Sequence, residues 1–139
     1  MRLWHKDLIP ALPKYQLVGQ WRECCLIAKN LLEKGSAGHL LVNRVEEYPY
    51  EDFVAYTMIV YKEMLNRGYD CDFHKFSKYW QEKEYGLVSN DYIFRDWHNY
   101  RYLKQCLYNL EEKYDCGGIS VEEWNTIIDY IKDNNLINF

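Results

Sequence analysis

LVGQWRECCLIAKNLLEKG, residues 17–35, carries apolar side chains at helical spacing. Leu17, Trp21, Cys24, Ala28 and Leu31 stand at i, i+4, i+7, i+11 and i+14, the stripe of an amphipathic helix. The spacing predicts a helix from about Pro13 to Lys34, stopped by Gly35, the residue type that most readily turns left-handed after a helix. With Trp21 at the centre of the stripe and about 100° per residue, Arg22 falls on its flank and Glu23 nearly opposite the core. Gly19 lies one turn before Glu23 on that back face. A glycine inside a helix costs about 1 kcal/mol relative to alanine, which is tolerable where another body must come close. Glu23 therefore either faces a pocket floored by Gly19 with Arg22 at its rim, or is a solvated residue beside a snorkelling arginine.

The same period runs outward along the chain. Val54, Met58, Tyr61 and Leu65 mark a second helix ending at Gly68, and a shorter one is expected over about His74–Glu84. Tyr100, Leu103, Cys106, Leu107, Leu110 and Tyr114 mark a fourth, broken by DCGG at 115–118. Ser120 and Glu123 have capping-box spacing at the start of a fifth, with Ile119 and Trp124 placed as a hydrophobic staple and Ile127, Ile128 and Ile131 continuing its stripe. Strand patterns are few and short. The expected fold is all-α: one compact domain over residues 1–139 with about five helices.

A chain of 139 residues, 48% hydrophobic and 27% charged, can bury a real core. No apolar run approaches the roughly 20 residues of a membrane helix, and no signal peptide is recognised, so no membrane association and a cytoplasmic location are expected. Cys24, Cys25, Cys71, Cys106 and Cys116 lack CxxC spacing and read as reduced thiols. Cys71 and His74 in CDFH have no partner pair for zinc. Placing Glu123 at the end of a calcium loop puts Tyr114 and Cys116 where carboxylates belong. GSAGH (35–39) matches no phosphate loop. Neither metal nor cofactor is expected.

Net charge is −4, yet residues 1–45 hold seven Lys or Arg against three acids, while 46–72 hold two against seven. An acidic whole argues against a general nucleic-acid binder. A basic first third is either a localised anion site, drawing on Lys14 and Lys29 as well as Arg2 and Arg22, or scatter.

MRLW at the start, followed by LVGQWRE, GHLLVN (38–43) and YPYEDFVAYTMIVYKEMLNRGY (48–69), resembles the pyrimidine-dimer DNA glycosylase family, the phage endonuclease V type and its bacterial relatives. The likeness covers the first half, residues 1–69; residues 70–139 diverge and lack the phage enzyme's aromatic, basic tail. The resemblance implies a compact all-α fold and a DNA repair glycosylase with abasic-site lyase activity on damaged double-stranded DNA. It also implies that the α-amine at the chain start forms a Schiff base with C1′ of an extruded nucleotide. Glu23 would then steer that step, with Arg2 and Arg22 on phosphates, and His39 either on a phosphate or the reacting nucleotide or merely a surface or helix-capping histidine. Arg2 should block methionine removal, which makes the amine that of Met1. Leu26 stands where the phage enzyme has a third basic residue, and Lys29 lies one turn on. Such an amine has a reference pKa near 7.7–8.0 against 10.4 for lysine, so it is partly neutral at pH 7. The alternative is a non-catalytic all-α module that binds DNA or protein. A monomer or weak dimer is expected, since no long heptad stripe is present.

Overall fold

In a computed structural model, which describes residues 1–80 and 84–138, the chain is all-helical. A 3₁₀ segment at Lys6–Ala11 precedes α1 (Lys14–Lys34), and another at Asn43–Glu47 precedes α2 (Tyr50–Asn66). α3 (His74–Ser77), a 3₁₀ turn at Asn90–Tyr92, α4 (Tyr100–Asp115) and α5 (Val121–Asp133) follow. Gly35 closes α1 with φ 71°, the left-handed conformation that glycine takes without a Cβ clash. Ser120 and Glu123 form the complete capping box at the start of α5: Ser120 Oγ accepts from the Glu123 N–H at 3.1 Å and Glu123 Oε1 accepts from the Ser120 N–H at 3.0 Å.

Three local expectations are corrected. The third helix spans only one turn and ends at Ser77; residues 81–83 of the expected His74–Glu84 helix lie outside the described residues. In α2 the buried face is Phe53, Val54, Tyr56, Thr57, Val60 and Met64, so Val54 of the expected stripe is in the core, whereas Met58 and Tyr61 are half-buried and Leu65 is exposed. This helix is apolar nearly all round, so the spacing fits two faces, and packing against α1 and the Lys6–Ala11 segment chooses between them. In α1 the core face also includes Gln20 and Ile27, which centres it near Cys24 rather than Trp21. Glu23 thereby moves to the flank beside Gln20, and Arg22 takes the outer, exposed face.

The core collects Leu3, Leu8, Ile9, Leu17, Ile27, Phe53, Tyr56, Phe76 and Phe94, all fully buried. The second half enters through residues 93–98. Phe94 is edge-on to Tyr48 at 5.4 Å and tilted against Tyr56 at 5.7 Å. Its φ of 50° is an outlier for a bulky residue. Asp52 holds it there, accepting from the Phe94 N–H at 3.1 Å. Arg67, just past α2, donates to the carbonyls of Leu12 at 2.7 Å and Pro10 at 3.1 Å, and its Nε meets Glu63 at 2.9 Å. The consequence is a clamped N-terminal segment: helix α2, α5 and the 93–98 turn all bear on the residues that lead from the chain start into α1.

Candidate active site

Chain ends normally fray because nothing satisfies their backbone groups. Here the backbone from Arg2 to Lys6 is pinned at residue after residue. The Arg2 N–H donates to Glu23 Oε2 at 3.3 Å. The Arg2 carbonyl accepts from Gln20 Nε2 at 2.9 Å. Tyr102 Oη donates to the Leu3 carbonyl at 2.6 Å. Trp4 donates its N–H to Gln20 Oε1 at 2.7 Å and accepts from Tyr56 Oη at 2.6 Å. Lys6 donates its N–H to His98 Nδ1 at 3.0 Å. Leu3 is fully buried and Trp4 nearly so, which seats the strand-like terminus in the core. Each such bond contributes about 1 kcal/mol net, but leaving a buried member unpaired costs about 1–3 kcal/mol.

Glu23 and Gln20 act as one unit on α1. Three residues apart, they share a face of the helix, and Gln20 Nε2 lies 3.4 Å from Glu23 Oε2. Oε2 thus takes the Arg2 N–H and faces the Gln20 amide, while Oε1 takes no hydrogen bond among the described residues. Met1 is half-buried, and among the described residues no ion pair occupies its amine. A carboxylate therefore sits one residue from an α-amine, on a terminus with little freedom to move away. Among the described residues no ion pair joins amine and carboxylate directly, so a reacting group or a water would have to stand between them for a proton to pass.

Burial sets the protonation of the supporting groups. It raises the Tyr56 phenol well above its ordinary value and raises that of Tyr102, so both stay hydroxyl donors. His98 is held well below the usual histidine range, first by burial and then by the positive potential of His5, Lys6 and Arg44. Burial also pushes the thiols of Cys25 and Cys71 up to about 11 and that of Cys24 higher, which makes them poor nucleophiles. All five cysteines are free thiols.

The remaining basic candidates divide. The Arg2 guanidinium stacks over Trp4 at 5.4 Å and reaches Tyr102 and Cys106 on α4. Arg22 is exposed beside Glu23 but on the outer face. Lys14 is not brought to the site: it opens α1, about 13 Å along the axis from Glu23, and packs over Tyr69 at 5.4 Å. Lys29 is exposed about 9 Å further along α1 than Glu23. His39 is exposed, and its Nδ1 accepts from the Leu41 N–H at 3.2 Å, which makes it a shaper of its own turn.

Sequence reasoning missed Gln20, Tyr56, His98 and Tyr102. For Gln20 a signal was present, a polar residue inside an apolar stripe three positions before Glu23. Tyr56 shared its pattern with every other aromatic of α2, and His98 and Tyr102 join the site from 92 and 99 residues away. Among the described residues no group of three His, Cys, Asp or Glu could hold a metal ion, and no helix is long and apolar enough to cross a membrane.

No curated protein and no solved structure matches the chain. The family model for pyrimidine dimer DNA glycosylase matches residues 1–78, the span that includes the pinned terminus, all of α1 and α2, and Glu23. The match reaches past the 1–69 of the sequence resemblance, through the α3 turn, and covers more than half of the 139 residues. The chain belongs to the pyrimidine dimer DNA glycosylase family, a family of DNA repair glycosylases that act on DNA.

Proposed function

We propose that this protein excises damaged pyrimidines from double-stranded DNA and cleaves the resulting abasic site, using the α-amine of Met1 as nucleophile and Glu23 as its acid–base partner. The observation that carries the reading is the bond from the Arg2 N–H to Glu23 Oε2, 3.3 Å, which fixes the carboxylate one residue from the amine. In the first step the neutral amine bonds to C1′ of an extruded nucleotide. The C1′–N bond breaks, and the base leaves with the electron pair and takes up a proton. The sugar ring oxygen then leaves C1′, is protonated and gives way to an imine, while Glu23 balances the positive charge on carbon and nitrogen. Loss of a C2′ proton expels the 3′ phosphate, and water hydrolyses the imine to restore the amine. Arg2 and Arg22 hold phosphates beside the lesion, with Lys29 and Lys14 as outlying contacts and His39 at the edge. Residues 1–139 act as one unit, since the second half supplies Tyr102 and His98 to the clamp.

Borohydride trapping of untagged protein on a duplex with one abasic site tests this. A covalent adduct is expected with the native protein, and none with an N-terminally acetylated sample. Glu23→Gln keeps an oxygen for the Arg2 N–H and so retains the fold while losing the adduct. Acetylated protein that still forms adduct would sink the amine as nucleophile. Native protein without adduct would leave a non-catalytic DNA-binding module.

A further inference from the structure

Arg2 also lines a cleft of about 230 Å³ that it shares with Leu40, Leu41, Arg44, Trp97 and Arg101. This is smaller than the roughly 300 Å³ at which enclosed small-molecule sites begin, so it suits a surface grip rather than a swallowed ligand. Three chain segments build it: the pinned terminus, the turn before α2, and the start of α4. Among the described residues its lining holds three arginines and no acid, on a molecule whose net charge is −4. Arg44 rests over the Trp97 ring at 5.8 Å, and among the described residues only Glu47, at 3.4 Å and outside the lining, pairs with its charge. Like charges gathered this way raise the energy of the empty cleft and are relieved by a polyanion.

Beside the arginines are two leucines that the fold leaves in water. Leu40 is 83% exposed and Leu41 50%. They are held outward by local bonds: His39 accepts from the Leu41 N–H through Nδ1, and its carbonyl accepts from the Val42 and Asn43 N–H groups at 3.0 and 2.9 Å. An apolar tip ringed by guanidinium groups is the composition used to wedge between base steps while gripping phosphate.

We propose that Arg44 and Arg101, with Arg2, hold phosphodiester groups of the duplex beside the lesion while Leu40 enters the stack at the place the extruded nucleotide vacates. This rests on the reading of the protein as a glycosylase acting on duplex DNA. It extends the DNA-contacting surface to Arg101 and Trp97, outside residues 1–78, and makes Leu40 a positioning residue for extrusion.

The test uses full-length protein, one strand with a single abasic site, and that strand either paired or alone. Arg101→Gln should weaken duplex binding, measured by fluorescence anisotropy, and lower the slope of log affinity against log salt by about one. Arg101→Lys should restore most of that slope. Leu40→Ala should trap adduct on the duplex about tenfold more slowly, yet match the native protein on the single strand, where nothing has to be unstacked. Leu40→Met should rescue it. Unchanged salt slopes for Arg101→Gln, or equal slowing of Leu40→Ala on both substrates, would overturn the proposal. If native protein forms no adduct, the glycosylase reading fails, and the anisotropy series still decides whether the cleft grips duplex DNA.

Discussion

Gln20 holds Trp4 by its side chain: Oε1 accepts the Trp4 N–H at 2.7 Å while Nε2 donates to the Arg2 carbonyl at 2.9 Å. One buried amide on α1 thus supplies both bonds that a neighbouring strand would give to this extended segment. Tyr56 adds a second ligature, donating to the Trp4 carbonyl at 2.6 Å and lying 3.0 Å from the same Gln20 oxygen.

Replacing Gln20 by Leu keeps the volume and removes both bonds. The Trp4 N–H and Arg2 carbonyl are then stranded, and the loss of stability should be about 1–3 kcal/mol by urea unfolding. Adduct formation should fall further than the folded fraction does, because the amine loses its fixed position relative to Glu23. A variant with native trapping per folded molecule would show that the clamp serves the fold alone.

The two tyrosines separate by burial. Tyr56 is fully buried and Tyr102 half-buried, so water can replace the lost hydroxyl bond only at the second. Tyr56→Phe should cost about 1–2 kcal/mol, and Tyr102→Phe less. Thermal unfolding of the pair checks the order. Equal costs would mean that the Leu3 carbonyl gains no water when the Tyr102 hydroxyl is removed.

The physics of what was legible follows from the same residues. Stop and start signals are local and were readable: Gly35 closes α1 and Ser120 with Glu123 opens α5, because a cap is satisfied within one turn of its own chain. The buried face of α2 was not, since Tyr56 and Tyr61 obey the same helical period and only packing decides between them. Glu23 and Arg2 were legible as a pair through resemblance. Their backbone bond required the stripe on α1 to be centred on Cys24, which the inclusion of polar Gln20 in the core brings about. The contribution of His98 and Tyr102 was invisible, because no spacing relates Lys6 to a histidine 92 residues on.

Gly19 offers a substitution with opposite effects on fold and function. A Cβ built there meets nothing within 4 Å, so alanine fits the folded chain. Gly19→Ala should stabilise the protein by about 0.5–1 kcal/mol through helix propensity. If duplex DNA comes close to α1 one turn before Glu23, the added methyl should also weaken binding to an abasic duplex. Calorimetric unfolding and anisotropy together check this. A gain in stability with native affinity would place the DNA elsewhere on the helix.

Acid should destabilise the fold through the histidines behind the clamp. His98 Nδ1 accepts the Lys6 N–H at 3.0 Å, so the imidazole is neutral with its proton on Nε2. His5 stacks on it at 5.1 Å, and burial lowers the pKa of both rings, against Asp7, which raises that of His5. In the unfolded chain both titrate near 6.5. Below that pH the unfolded state binds protons that the folded state refuses, so stability is full above about 6.5 and declines as pH falls, by up to about 1.4 kcal/mol per pH unit for each histidine. A protonated His98 can no longer accept from the Lys6 N–H, so proton uptake accompanies opening of that bond. Unfolding free energy measured from pH 7.5 to 5 should therefore slope downward. His98→Asn, whose carbonyl oxygen can take the Lys6 N–H without titrating, should remove about half of that slope. A flat profile for the native protein, or an identical slope in His98→Asn, would show that these histidines do not couple the terminus to pH.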